Sequence, residues 1–250
     1  MKISLPNNIF SALIQSRLQN ETIVFRPSAL IIKDIINDET DAGLIPSLDL
    51  FSESDLIVSS KVGIAFDANL SNSFFYFKPN QRNIKSLYLR GDLSKNDIIL
   101  SKIILKEKYD FEPEFILDSS DLDFSQKNYL IAGMENFVNI FAQNSISMAD
   151  QIAEYIEYPY VNFLFVSKSK EILKAIEEAL KSVDEKIESD LEKIFESAKM
   201  NREIYSFFKE NINSLYFNLT DNEINGLLEL LKLPYYHGII DEMIEPKFTD

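Results

Sequence analysis

Over the first 45 positions, short strand-like apolar runs alternate with apolar residues at helical spacing, and this alternation restricts the fold more than any other feature. Residues 2–5 (KISL) are β-prone. Asn7 and Asn8 then stand where a helix would be capped, before Phe10, Leu13, Ile14 and Leu18 at helical spacing. Residues 21–25 (ETIVF) read as a second strand. Pro27 and Ser28 open a helix through Ala29, Leu30, Ile32, Ile35 and Ile36, and residues 41–45 (DAGLI) read as a third strand. Such an order calls for a parallel sheet with crossover helices.

Strand signals continue at residues 56–59, 62–65 and 73–77 (SFFYF). The polar break at residues 78–83 (KPNQRN) is the expected first crossing between two lobes. After it, residues 86–89 read as a strand and 96–106 as a helix; 115–117 and 129–131 read as strands, 134–142 and 147–155 as helices, and 160–166 (YVNFLFV) as the last strong strand. From Ile172 to Ile194 apolar residues step by three or four, which predicts one long amphipathic helix with a solvated charged face. Two shorter helices follow, and the last opens on the capping-box pattern Thr220-Asp221-Asn222-Glu223.

Two βα lobes with an all-helical tail give an α/β fold. Residues 1–83 and 190–250 are expected to form a discontinuous first lobe, and 84–189 the second. That is the plan of a two-lobed, type II periplasmic-binding-protein-like fold, whose ligand lies between lobes at strand ends and helix N-termini. Composition narrows the partners. Forty acidic against 25 basic residues give a net charge of −15, which repels a phosphate backbone and argues against nucleic acid. The chain has no cysteine and one histidine, His237, so thiol chemistry and multi-histidine metal centres are excluded. No metal and no cofactor is expected. No apolar run is long enough to span a membrane, and the opening residues do not read as a secretory signal, so a cytoplasmic location is expected. No oligomeric state can be read.

Several segments, in order, resemble the menaquinone-biosynthesis enzymes that include chorismate dehydratase. Residues 3–7 (ISLPN) are similar to that family's opening strand and turn, and 41–47 (DAGLIPS) to its acidic-small-small-Leu-Ile-Pro-Ser segment. Residues 73–77, 105–115 (LKEKYDFEPEF), 130–133 (LIAG), 159–161 (PYV) and 227–240 resemble later segments of the family. The chain departs from the pattern at three places. Ser94-Lys95-Asn96-Asp97 stands where the family has Ser-Arg-Thr-Ser, Asn72 replaces an arginine, and Asn162 replaces an apolar residue.

The resemblance implies a lyase that dehydrates a small cyclic dicarboxylate. Aromatisation drives such a reaction, so the enzyme chiefly holds carboxylates and orients the leaving group. Asn7 and Ser47 are then the catalytic donors, and Ser4, Ser73, Ser94, Lys95, Asn96 and Glu135 the substrate-binding residues. Asn7, Ser47, Ser94 and Asn96 read equally as helix caps, Ser73 can face either side of its strand, and Lys95 and Arg90 can be plain surface charges. Arg82, Arg90 and Lys95 are the cations nearest the expected mouth. Glu135 and Asn136 line the cleft or lie in a solvated first turn. The acidic run 118–123 (DSSDLD) lacks the spacing of a calcium loop. The competing function is a non-catalytic small-anion-binding protein, a sensor or carrier, on the same fold.

Overall fold

In the computed structural model, which describes residues 1–53, 55–79, 83–138, 145–198 and 201–249, the N-terminal alternation is present. β1 (Lys2–Pro6) leads to α1 (Ile9–Gln15), β2 (Thr22–Arg26), a 3₁₀ turn (Ser28–Leu30) running into α2 (Ile31–Ile36), and β3 (Ala42–Pro46). β1 pairs parallel with both β2 and β3. Gly43 admits the crossover helix: a Cβ there would stand 2.6 Å from Ile31 Cγ2. A 3₁₀ segment (Ser47–Ser52) follows, then β4 (Ile57–Phe66), β5 (Ser73–Tyr76), β6 (Ser86–Gly91) and α3 (Lys95–Tyr109). Next come β7 (Glu114–Leu117), β8 (Tyr129–Ala132), α4 (Glu135–Val138), β9 (Ile146–Ser147), α5 (Met148–Ile156) and β10 (Tyr160–Ser167). The C-terminal part holds α6 (Lys170–Leu180), α7 (Ile187–Ala198), α8 (Arg202–Asn211), β11 (Leu215–Asn218), α9 (Asp221–Tyr236) and β12 (Lys247–Phe248). Among the described residues, no helix is long and apolar enough to cross a membrane.

Two sheets result. The first has the order β11-β4-β10-β3-β1-β2, with β12 beside β4, and the second has the order β7-β6-β8-β5-β9. This corrects the expected lobe limits. β5 belongs to the second sheet, paired antiparallel with β8. β10 belongs to the centre of the first, antiparallel to both β3 and β4. The first crossing therefore falls between Phe66 and Ser73, not in the polar break 78–83, part of which (80–82, with Arg82) lies outside the described residues. The return comes through α5, before Tyr160. All eight residues of β10 are buried. A strand covered on both faces is apolar whichever sheet it joins, so its composition does not tell which sheet that is.

Two further expectations change. Residues 56–59 and 62–65 are parts of one ten-residue strand, β4. The long helix over 172–194 is broken between α6 and α7. There Asn218 Nδ2 donates to the Leu180 carbonyl at 3.0 Å, and the Asp184 carboxylate accepts from the N–H groups of Phe217 and Asn218 at 2.9 and 2.8 Å. These bonds to β11 thus end one helix and turn the chain into the next. The helix expected over 134–142 is described as far as Val138. α9 opens on the capping box read from its sequence, with Thr220 and Glu223 bonded reciprocally.

The register brings functional ends together. Pro6, Pro46, Phe66 and Tyr160 lie at one end of the first sheet. Gly91, Ala132 and Ser73 lie at one end of the second. Both crossings join these two ends, so they face each other across a seam. An aromatic cluster ties the tail to both lobes. Phe10 of α1 meets Phe66 edge-on at 4.9 Å between ring centroids, Phe137 of α4 lies 6.2 Å from Phe10, and Phe208 of α8 lies 5.1 Å from Phe137. Arg17, just after α1, pairs with Asp190 of α7.

Candidate functional site

The seam holds a buried polar network built from both sheets. Ser94 caps α3 and forms a capping box with Asp97: its backbone N–H and hydroxyl donate to Asp97 Oδ2 at 2.7 and 2.6 Å. Ser73, at the start of β5, donates its hydroxyl to Asp97 Oδ1. Burial raises the pKa of the Asp97 carboxyl, against the opposing effect of these donors. One residue before it, Asn96 is fully buried and bridges to the first sheet. Its Oδ1 accepts from Leu48 N–H at 2.8 Å, and its Nδ2 donates to the Asn162 carbonyl at 2.8 Å and to Asn162 Oδ1 and Tyr160 Oη at 3.0 Å. A register shift between Val161 and Phe163 interrupts the pairing of β10 with β4 at Asn162. The Tyr160 hydroxyl donates to Asn162 Oδ1 at 2.8 Å, and burial pushes its pKa well above the ordinary value. Ser47, just past β3, donates its hydroxyl to the Val161 carbonyl.

Of the residues expected to act together, Ser47, Ser73, Ser94 and Asn96 therefore meet in or beside one network. Lys95 lies at its rim, bonded to Ser52 and 3.7 Å from Asp49. Burial pushes the Asp49 carboxyl up to about 6, opposed by the Lys95 ammonium. The others lie apart from the network. Ser4 is mid-strand and buried against α2, where its hydroxyl donates to Asp34 at 3.0 Å beside the Arg26–Asp34 pair. Asn7 is exposed beyond β1, with its backbone N–H on the Arg26 carbonyl at 3.3 Å; the cap of α1 is Asn8, whose Oδ1 accepts from Ser11 N–H at 2.8 Å. Glu135 opens α4 and pairs with Arg90 at 2.8 Å. Asn136 is buried between Tyr76 and the Ile131 carbonyl.

Asp97, Asn162, Tyr160 and Asp49 are the partners that the sequence reading did not join to this group. The pattern Ser94-x-x-Asp97 is a capping-box signal and points to Asp97; nothing local points to Tyr160. A second contact across the seam was also not foreseen: Ser28, after β2, donates its N–H and hydroxyl to the Asp92 carboxylate, after β6. In the acidic loop, Asp118 is bonded to Lys127 and Ser120, and Asp123 to Ser125 and Gln126. Among the described residues, no group of three or more acidic or histidine side chains could hold a metal ion.

No protein-family model matches the sequence, nor does any curated protein. Solved structures do match in fold. Protein AF1704 from Archaeoglobus fulgidus superposes with a TM-score of 0.68 at 14% identity, covering 96% of this chain and 98% of its own. The alkanesulfonate-binding protein SsuA from Xanthomonas axonopodis pv. citri, bound to MOPS, gives 0.56 at 10% identity, with 99% and 97% covered. The Candida albicans CA3427 product, described as having the generic periplasmic binding protein fold, gives 0.53 at 13%, with 97% and 91% covered. The chain thus has a two-lobed α/β fold like that of periplasmic binding proteins, with a helical C-terminal tail.

Proposed function

We propose that the protein is a non-catalytic binding protein for a small carboxylate, a sensor or carrier, which takes its ligand between the two lobes. The observation that carries this reading is the engagement of the expected donors by the chain itself. Ser47 gives its hydroxyl to a main-chain carbonyl, and Ser73 and Ser94 give theirs to Asp97. A hydroxyl committed to an internal acceptor cannot also stabilise charge developing on a substrate. Lys95 is exposed at the rim of the network and Asn7 is exposed beyond the end of β1, a cation and a donor suited to orienting a small anion. The fold supports the same reading, since SsuA is a binding protein of this architecture.

The second reading is a lyase of the chorismate dehydratase type, acting on a cyclic dicarboxylate in menaquinone biosynthesis. It draws on the collinear sequence resemblance and on the exposed position of Asn7 at the end of β1. One experiment separates the two. The purified protein is titrated calorimetrically with chorismate and with benzoate, and the ultraviolet spectrum is followed on mixing with chorismate. Saturable heat without a spectral change is expected. Aromatisation of chorismate, abolished in Asn7→Ala, would establish the lyase instead, and an absence of heat with either probe would count against the binding reading.

A further inference from the structure

Among the contacts described between the lobes, one stands at the edge strand of the first sheet, away from the crossings. The chain passes between lobes at the end of β4 and the start of β10. The Asn96 network and the Lys95–Asp49 pair sit beside those crossings. Ser28 instead follows β2, the edge strand of the first sheet, three strands from β10 and so roughly 14 Å away at the usual strand spacing. Asp92 follows β6, two strands from β5 in the second sheet. There Ser28 N–H reaches both Asp92 carboxylate oxygens, at 2.9 and 3.1 Å, and the Ser28 hydroxyl donates to Oδ2 at 2.6 Å. Ser28 is fully buried. The Asp92 backbone is itself fixed, with its N–H on the Ala132 carbonyl at 3.1 Å.

We infer that Ser28 and Asp92 form an autoinhibitory latch, which holds the lips of the interlobe seam shut against an incoming ligand. The inference rests on the proposed binding reading and adds its regulation. A contact at the lip acts with more leverage on opening than one beside the hinge, and an ionised acceptor makes stronger hydrogen bonds than a neutral one. With the latch closed, the seam is occupied by the chain's own groups, Asp97 among them. A ligand must part the lobes before it can sit between them, so its apparent affinity is scaled down to the fraction of molecules that are open.

The absence of cysteine makes the test direct. Cysteines placed at Lys33 on the first lobe and Asp121 on the second, both exposed, carry a donor and an acceptor dye, and single-molecule energy transfer is recorded without ligand. One closed population is expected in the parent. Asp92→Ala should raise the open population about tenfold, as the loss of charge-assisted hydrogen bonds implies. Ser28→Ala should raise it less, because the backbone donor remains. Asp92→Asn keeps the shape of the side chain and decides the question if the alanine variant does not fold. Unchanged distances in the folded Asp92 variants, even with a lower melting temperature, would overturn the latch and reduce the contact to ordinary packing. Because these distances are read without ligand, they do not depend on the binding reading. That reading stands or falls on the chorismate and benzoate titrations, and if it holds, benzoate should bind the Asp92→Asn variant more tightly than the parent.

Discussion

Replacing Asn96 by alanine tests the central claim about the seam, that a buried amide joins the two sheets. The truncation strands at least two groups. Leu48 N–H loses its acceptor at 2.8 Å, and the Asn162 carbonyl loses its donor at 2.8 Å. Each buried group left unpaired costs about 1–3 kcal/mol, so a loss of about 3–4 kcal/mol is expected. That is a large part of the ~5–15 kcal/mol that holds an ordinary domain folded. In urea, with a slope of about 3 kcal/mol per molar, the midpoint should fall by about 1 M. The Asn162→Ala variant and the double variant complete a cycle, in which the two sites should couple by ~1 kcal/mol or more because they share a bond. A midpoint within ~0.3 M of the parent, or additive single effects, would show that water or rearranged neighbours satisfy these groups. The amide would then not be what joins the sheets.

The Asp49 carboxyl gives a pH dependence of definite sign. Burial holds it near 6, above its value in the unfolded chain, so folding favours the protonated form. This contribution to stability is full below about pH 4, is lost as the pH rises through about 6, and is on the order of 2–3 kcal/mol. Thermal unfolding between pH 4 and 7 should show it, and Asp49→Asn should flatten that slope. At Gly91 the backbone has φ +81°, and a Cβ would lie 2.0 Å from the Ala132 carbonyl oxygen. Gly91→Ala should therefore lower stability by ~3 kcal/mol or more and lower soluble yield; a melting temperature like the parent's would refute the close approach.

The fold was legible where local patterns decide it and illegible where distant residues do. The alternation from β1 to β3, the capping box at Thr220 and the helix from Ser94 onward each express a short-range rule. The polar pair Ser60 and Lys61 interrupts an apolar run and reads as a break, yet β4 passes through it because β10 and β11 supply its partners. The split of the expected long helix is also tertiary, since it depends on Asn218 and Asp184 meeting across more than thirty residues. The site follows the same division. Ser47, Ser73, Ser94 and Asn96 stood out as polar residues at element ends. That Ser73 would spend its hydroxyl on Asp97, or Asn96 its amide on Asn162, depends on separations of 24 and 66 residues. Lobe membership failed for β5 and β10 because a sheet's interior chemistry is the same in either lobe.

The chain's departure at Asp97 has a consequence for anion binding that can be measured. The resemblance places a hydroxyl at this third position of α3, where helix N–H groups and neighbouring hydroxyls would point at a ligand carboxylate. Here the position carries a carboxylate of its own, and it takes the Ser73 and Ser94 hydroxyls and the Ser94 N–H. The fifteen-residue helix α3 thus directs the positive end of its dipole at an internal carboxyl group. A ligand carboxylate would find these donors already taken. Asp97→Ser should release the donors. Benzoate affinity is expected to rise tenfold or more, while loss of the capping box lowers stability by about 1–2 kcal/mol. Calorimetric titration of the parent and variant reads the first effect, and urea unfolding the second. If the affinity is unchanged while stability falls as expected, Asp97 is a helix cap and lobe fastener only, and the seat for the ligand lies on the first-lobe side of the seam, with Asn7.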